Sequence, residues 1–236
     1  MEKIDILSLS PETLGQYLAE MGEPKFRAKQ LFSWLHQKQV TDFAQMTTLS
    51  LQLRQKLNEK FCINRLNIAR KLASSADDTV KYLYELPDGN FVETVLMDYH
   101  HGKSLCISTQ VGCRMGCQFC ASTIAGYVRD LQPSELLLQI YETQRDAGCR
   151  IDSIVLMGIG EPLDNFDNVV QFFRLLSHPD GMNMSLRHAA LSTCGLVPQI
   201  RQLADLRLGV TLSVSLHSPE NQRRSEIMPV NRRYPV

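Results

Sequence analysis

The chain has 236 residues, 44% of them hydrophobic, enough for a sizeable core in one or two domains. Its formal net charge of zero excludes a global basic field, so a nucleic-acid partner would need a local basic face. No apolar run has the length of a membrane span, and seven cysteines without a signal peptide are typical of a reducing compartment; we expect a cytoplasmic monomer with no membrane association.

Residues 1–62 have the pattern of a small helical accessory domain. Apolar residues recur with helical spacing over 11–20, 24–37 and 48–59, with charges and amides on the opposite faces. Ser10 is of a type that caps helices and directly precedes the first of these segments.

Residues 63–103 predict a β-rich extension. Two runs rich in β-branched and aromatic residues, 80–86 and 91–97, are separated by a Pro-Asp-Gly-Asn turn signal. The second run contains Glu93, which strand alternation places on the face opposite Val92 and Thr94.

Residues 104–236 alternate between strands and helices, which predicts an α/β fold with a parallel sheet of about four β/α units. The predicted strands are 104–110, 153–157, 188–192 and 210–215, and the predicted helices are 133–148, 166–177 and 198–206. Polar and glycine-containing motifs follow the strands directly. In a parallel sheet those positions share the carboxyl edge, where ligands bind.

The loop after the first of these strands carries three cysteines, Cys113, Cys117 and Cys120. Thiolates are soft ligands, and this spacing lets them converge on one metal centre with a fourth position left open. A structural zinc site is the alternative. Its fourth ligand would come from elsewhere in the chain; the candidates are His100, His101 and Cys149.

Two clusters of basic residues are candidate nucleic-acid faces, although solvated surface charge is the simpler interpretation of each. The first cluster is Lys25, Arg27 and Lys29, and the second is Arg223, Arg224, Arg232 and Arg233.

The cysteine loop, with Phe119 before its last cysteine, resembles the signature of the radical S-adenosylmethionine (SAM) superfamily. Further motifs resemble one branch, the RNA adenine methyltransferases of the RlmN/Cfr family. They are residues 22–34, 106–113, 158–162, 191–193, 215–217 and 228–231. The resemblance covers essentially the whole chain and implies a partial (βα) barrel of six units, of which this chain would supply about four. We therefore expect a C-terminally truncated barrel.

The resemblance also implies cofactors and the residues that hold them. Cys113, Cys117 and Cys120 would bind a [4Fe–4S] cluster whose fourth iron binds SAM. The residues expected to bind SAM are Gly160, Glu161, Ser192, Ser215 and His217. Glycine would let the backbone approach the ligand, and the carboxylate would pair with the SAM ammonium. The simpler alternatives are a turn with a surface glutamate, and structural serines and histidine at strand ends.

Two further residues acquire catalytic roles only through the resemblance. Glu93 would accept a proton, where alternation alone indicates an outward-facing charge. Cys106 would resolve a methyl-cysteine/RNA covalent intermediate by forming a disulfide with the methyl-carrying cysteine; taken alone it reads as a small buried strand residue. The carrier belongs downstream of Val236, and neither Cys149 nor Cys194 stands in a matching motif. We expect the chain to bind its cofactors without completing methyl transfer.

The implied reaction forms 2-methyladenosine in 23S rRNA and in tRNA, with flavodoxin as electron donor. Pro162 favours methylation at C2 over the C8 chemistry of the other branch. Two other functions stay open. A radical SAM activase would act on a glycyl-radical partner, and a non-catalytic, cluster-containing fragment would bind RNA without cleaving SAM.

Overall fold

The structure is a computed structural model that describes residues 3–100 and 102–236. Its helices are α1 (Pro11–Glu20), α2 (Phe26–His36), α3 (Leu51–Lys60), α4 (Pro133–Ala147), α5 (Phe166–Ser177), α6 (Val197–Leu206) and α7 (Asn221–Ile227). Its strands are β1 (Ile4–Asp5), β2 (Phe61–Cys62), β3 (Asn67–Ala73), β4 (Val80–Glu85), β5 (Phe91–Tyr99), β6 (Gly102–Cys106), β7 (Gln110–Gly112), β8 (Tyr127–Asp130), β9 (Ser153–Leu156), β10 (Ala189–Thr193) and β11 (Thr211–Val214).

A seven-stranded sheet with the order β11-β10-β9-β6-β5-β4-β3 organises the molecule. Strands β6, β9, β10 and β11 pair in parallel, and each is followed by a helix, α4 to α7 in turn. Strands β3, β4 and β5 extend the sheet by antiparallel pairing. The α/β fold with about four β/α units is thus confirmed, and β11 forms one edge of the sheet.

The two faces of the sheet differ in burial because side chains alternate along each strand. Leu105, Ile154 and Leu191 lie on the face that packs in the main hydrophobic core. The opposite face carries half-buried residues, including Cys106 and Val155, which are paired across β6 and β9. This half-open face and the carboxyl edge of the parallel strands are where a ligand can reach the sheet.

Helix α4 is joined to the sheet by buried polar side chains as well as by apolar packing. Gln139 accepts hydrogen bonds from the backbone N–H of Ser108 (2.8 Å) and the hydroxyl of Thr94 (2.8 Å), and its amide donates to the Ser108 carbonyl (3.0 Å). Tyr84 and Thr143 make a second buried bond of 2.8 Å between sheet and helix. A buried polar group left unpaired is costly, so these bonds fix where the chain leaves β6.

The N-terminal helices pack directly on the α/β layer and share its hydrophobic cluster. Ser10 caps α1 as predicted, because its hydroxyl accepts from the N–H of Thr13 (3.2 Å). Buried His36 of α2 meets buried Tyr141 of α4, with Nδ1 and the phenolic oxygen 2.9 Å apart. This polar bond joins the N-terminal helices to the helices that cover the sheet.

Several predicted boundaries differ from the structure, among them the start of α3 at Leu51 and not at 48, and one strand was missed. Helix α2 begins at Phe26 rather than at 24. The strand predicted over 104–110 ends at Cys106 because the backbone beyond it bonds to loops: Gly158 donates to the Ile107 carbonyl and Thr109 to the Ile159 carbonyl. Strand β3 was not predicted, since all seven of its residues are exposed and show no alternation. Nowhere in residues 3–100 or 102–236 is a helix long and apolar enough to cross a bilayer.

The burial of His36 makes stability depend on pH. Burial, with a smaller contribution from nearby His178, lowers the pKa of His36 from 6.5 to about 3. The unfolded chain therefore binds an extra proton between these values, and stability falls as the pH drops from 6.5 toward 3. We expect His36→Gln to remove up to about 1.4 kcal/mol per pH unit of that slope in urea unfolding series. Exposed His188→Gln is the control; equal slopes in both variants would contradict the assignment.

Candidate active site

The three cysteines lie in a loop whose two ends are held together by a short two-stranded sheet. Strands β7 and β8 pair in antiparallel fashion on either side of the loop. Gly112 sits at the closure with φ +74°, and a Cβ there would lie 1.8 Å from the Gly126 carbonyl oxygen. The N–H of Cys113 donates to that same carbonyl (3.1 Å). Only glycine allows the two ends of the loop to meet this closely.

One cavity of about 200 Å³ brings together all the predicted cluster and SAM residues. Its walls include Cys113, Cys117, Cys120, Gly160, Glu161, Ser192, Ser215 and His217. The loops after β9, β10 and β11 form one side and the cysteine loop forms the other. This is the carboxyl edge of the parallel strands, the position expected for a ligand in such a sheet.

The three thiols suit an iron–sulfur cluster in which each thiolate binds a different iron. Within the described residues no three His, Cys, Asp or Glu side chains converge closely enough to hold a single metal ion. In a cubane cluster each thiolate binds a different iron, so the sulfurs need to share a cavity and not a point. Burial raises the pKa of Cys117 to about 11 and also raises that of Cys113, so metal binding must displace their protons.

Gly160 brings the loop after β9 against the segment that leads into the cysteines. Its φ is +108°, and a Cβ would lie 2.7 Å from the backbone N and the Cβ of Gln110. The Gln110 side chain accepts from the N–H of Glu161 (2.8 Å), while the N–H groups of Thr109 and Gln110 donate to the Ile159 carbonyl (2.8 and 3.2 Å). The two segments are therefore held backbone to backbone.

The Glu161 carboxylate joins two of the loops around the cavity. Its oxygens accept from the backbone N–H of Leu163 (3.0 Å) and of Cys194 (2.7 Å). Burial raises its pKa despite these bonds, because desolvation is the largest influence on it. Pairing of Glu161 with the SAM ammonium stays a prediction, since the carboxylate already receives these internal donors.

The opposite rim of the cavity carries hydroxyls and aromatic rings. The hydroxyl oxygens of Ser192, in β10, and Ser215, directly after the neighbouring strand β11, lie 3.5 Å apart. The rings of Phe119 and His217 are 4.3 Å apart and connect the cysteine loop to the loop after β11. The cavity thus offers thiols at one side and hydrogen-bonding groups at the other.

Comparisons with known proteins agree with this geometry. Residues 4–63 match the family described as the ribosomal RNA large subunit methyltransferase N-terminal domain, and residues 107–235 match the radical SAM superfamily. A probable dual-specificity RNA methyltransferase RlmN of Alkaliphilus oremlandii is 50% identical over 236 residues, which is 100% of this chain and 68% of that protein. The chain belongs to the RlmN family of radical SAM proteins.

Other RlmN-family relatives give the same relationship. The probable dual-specificity RNA methyltransferase RlmN of Lachnoclostridium phytofermentans is 52% identical over 99% of this chain, which spans 65% of that relative's length. The crystal structure of a radical SAM methyltransferase from Sphaerobacter thermophilus superposes with a TM-score of 0.92 at 37% identity. That match covers 99% of this chain and 69% of the solved one.

The two predicted catalytic residues of this RlmN-family chain lie beside the cavity and do not line it. Cys106 pairs with Val95 across β5 and β6, and Glu93 lies two residues from Val95 on the same face. Glu93 and Cys106 are therefore diagonal neighbours on the half-open face of the sheet. Lys81 pairs with Glu93 at 2.7 Å. Burial raises the pKa of the Cys106 thiol, which also interacts with the backbone of Met157 in the cavity wall.

One expectation about cysteine is corrected, and the alternative roles considered for Cys149 and Cys194 are disfavoured. All seven cysteines are free thiols, so the disulfide implied by the resemblance is not supported. Cys149 lines a different cavity beside His36 and cannot complete a zinc site at the cysteine loop. His101 lies outside the described residues. Cys194 does lie in the cavity wall, but it is buried and burial raises its pKa far above the usual range, which opposes a role as methyl carrier.

The prediction of the second basic cluster as a nucleic-acid face is partly wrong, since Arg224 is buried while Arg223, Arg232 and Arg233 are exposed.

Sequence reasoning missed three residues whose side chains hydrogen-bond the backbone segments around the site: Gln110, Asn165 and Arg224. Asn165 donates to the carbonyls of Thr109 (2.9 Å) and Leu131 (2.8 Å). The only signal for Gln110 was its place in the run that enters the cysteine loop.

Adding one methyl group at Gly160 should disrupt the site. We expect Gly160→Ala to lower the unfolding free energy by on the order of 3 kcal/mol, and to reduce iron uptake on reconstitution, because the Cβ has no room. Gly209→Ala is the matched control, with φ +79° and nothing within 4 Å, and should cost about 1–2 kcal/mol without loss of iron. Urea unfolding and iron analysis measure both. Equal effects would show that strain alone, and not the close approach, matters.

Proposed function

We propose that this chain is the cluster- and SAM-binding part of an enzyme that forms 2-methyladenosine in 23S rRNA and tRNA. The observation that carries the proposal is the single cavity lined by three cysteines and by every predicted SAM residue. Relatives that are 52% and 50% identical to this chain are named as probable dual-specificity RNA methyltransferases. Pro162, buried after Glu161, supports C2 as the methylated carbon in preference to C8.

In this proposal Cys113, Cys117 and Cys120 hold a [4Fe–4S] cluster, which with bound SAM supplies hydrogen-abstracting radical chemistry. Gly160 lines the cavity, and the absence of a side chain there lets the loop after β9 lie directly against Gln110 and Thr109. The Ser192 and Ser215 hydroxyls are close enough to bind one polar end of SAM together. The ring of His217 lies over Phe119 and narrows the cavity near the cysteines.

Glu93 and Cys106 act on the substrate side in the proposal. Their side chains share the half-open face of the sheet, next to the cavity wall at Met157. Glu93 is the proton acceptor, and its carboxylate lies 2.7 Å from the Lys81 ammonium. Cys106 is the thiol that resolves the protein–RNA intermediate. Its raised pKa means that it needs a base when it reacts, and Glu93 is a diagonal neighbour.

The helical head, residues 1–62, is proposed to contact the RNA. A groove of about 400 Å³ on α2 combines two aromatic side chains with two lysines: Phe26, Trp34, Lys29 and Lys38. Phe26 is 58% exposed, and the Lys38 ammonium lies 3.4 Å from the centre of the Trp34 ring. An exposed ring beside lysines suits an unpaired base and its phosphate. The electron donor is proposed to be a flavodoxin, and the protein to act as a monomer.

Anaerobic reconstitution followed by EPR tests the cofactor assignment. We expect a reduced [4Fe–4S] signal that changes when SAM is added, and reductive cleavage of SAM to 5′-deoxyadenosine. Cys117→Ser should lose the signal because a ligand is removed, and Cys149→Ser should keep it because Cys149 lines another cavity. Bound zinc, or a cluster indifferent to SAM, would refute the proposal.

Binding of an RNA stem-loop at two salt concentrations tests the substrate class. We expect Phe26→Ala to weaken binding about tenfold, because stacking of a base on an aromatic ring contributes about 1–3 kcal/mol. Leu51→Ala is the control, since Leu51 is an equally exposed apolar residue (64%) on another helix of the head. Unchanged affinity in Phe26→Ala, or equal losses in both variants, would remove the groove from the proposal.

A further inference from the structure

A buried arginine lies behind the cavity without an acidic partner. Arg224, on α7, is only 4% exposed. In the part of the chain that the structure describes, it makes no ion pair with a carboxylate. Its neighbour Arg223 is 75% exposed at the side chain and pairs with Glu220 at 3.2 Å. The buried arginine is therefore the unusual one, because buried charges are normally paired.

Neutral oxygens from three separate segments hold the guanidinium. Nη2 donates to the carbonyls of Cys194 (2.8 Å) and Ser215 (3.0 Å), which follow β10 and β11. Nε donates to the Leu216 carbonyl (3.1 Å), and Nη1 donates to the Asn231 side-chain oxygen (2.7 Å). Arg224 thus connects the loops after β10 and β11, the second of which carries Ser215 and His217.

Only one residue separates this charge from the cavity. Cys194, whose carbonyl accepts from Arg224, lines the cavity and packs in one buried cluster with Cys117 and Met228. A Cβ on Gly195 would lie 3.5 Å from Nη2. Glu161 is the one acidic residue in the described cavity wall, and its carboxylate bonds to the opposite side of residue 194 through the Cys194 N–H.

An unpaired cation in this position favours negative charge in the cavity. Carbonyl dipoles stabilise a guanidinium but leave its net charge in place, and that charge acts over several ångströms where water is excluded. A [4Fe–4S] cluster bound by three thiolates is anionic and becomes more negative by one charge when it is reduced. A fixed positive charge stabilises the reduced form more than the oxidised form.

We propose that Arg224 is a positioning residue whose fixed charge raises the reduction potential of a cluster bound at Cys113, Cys117 and Cys120. This inference rests on the proposed function. The step involved is the transfer of one electron from a low-potential one-electron donor to the cluster, with no bond made or broken. Arg224 does not contact the reacting atoms; it also holds the loops after β10 and β11 in place.

Redox titration of the reconstituted protein with dithionite, followed by EPR, tests the proposal. At a fixed solution potential we expect Arg224→Gln to lower the ratio of reduced to oxidised cluster about tenfold, which corresponds to about 59 mV for one electron. Arg224→Lys keeps the charge and should stay close to the original ratio. Arg223→Gln removes one charge from the same helix at the surface and should change nothing, because solvent screens it.

Three outcomes would overturn the proposal. A ratio unchanged in Arg224→Gln would show that the charge does not act on the cluster. Equal shifts in Arg224→Gln and Arg224→Lys would show that only the geometry of the loops matters. If Arg224→Gln does not fold, Asn231→Asp replaces it, since a carboxylate at the Nη1 contact neutralises the same guanidinium. That variant should lower the ratio as well, and an unchanged ratio would again overturn the proposal.

Failure of this inference is distinguishable from failure of the proposed function. If no SAM-responsive cluster forms in the unsubstituted protein, the proposed function fails. If the cluster forms and responds to SAM, and Arg224→Gln and Arg224→Lys have the same potential, only the role of Arg224 fails.

Discussion

The contact on which the site depends is the close approach of two backbone segments, one leaving β6 and the other leaving β9. A Cβ at Gly158 would lie 2.7 Å from the Ile107 carbonyl oxygen, and a Cβ at Gly160 would lie 2.7 Å from Gln110. Two features of the cavity continue from these segments. The first becomes the cysteine loop, and the second becomes the turn that carries Glu161. Their separation therefore decides whether thiols and SAM-binding groups face the same cavity.

Buried polar bonds keep this contact in register where apolar packing alone would permit sliding. Gln139 bonds the backbone of Ser108 on both its N–H and its carbonyl, and the Ser108 hydroxyl donates to the Glu93 carbonyl (2.6 Å) and accepts from the Ile159 N–H (3.0 Å). Ser108 thus joins β5, α4 and the loop after β9. An unpaired group at any of these positions would carry the full cost of desolvation, so the arrangement has few alternatives of similar energy.

Much of the fold and most of the cavity could be predicted from the sequence, because periodicity and strand-end motifs are local signals. Ser10 correctly predicted the start of α1. The residues at the carboxyl ends of β9, β10 and β11 lie at one edge of the sheet, as expected for parallel strands. The neighbouring positions of Glu93 and Cys106 depend on the antiparallel register of β5 and β6, which no local pattern encodes. The burial of Arg224 could not be predicted for another reason. Arg224 stands among polar residues in the sequence, and its burial depends on the folded positions of the carbonyls that accept from it.

The burial of the cavity thiols has a consequence for their reactivity. Cys113, Cys117 and Cys194 all have raised pKa values because they are desolvated, so at neutral pH they remain thiols. Oxidants and electrophiles attack thiolates, and a protonated sulfur reacts slowly with them. Burial therefore slows the oxidation of Cys113 and Cys117 for as long as the two sulfurs carry protons, and these protons leave when the sulfurs bind a metal.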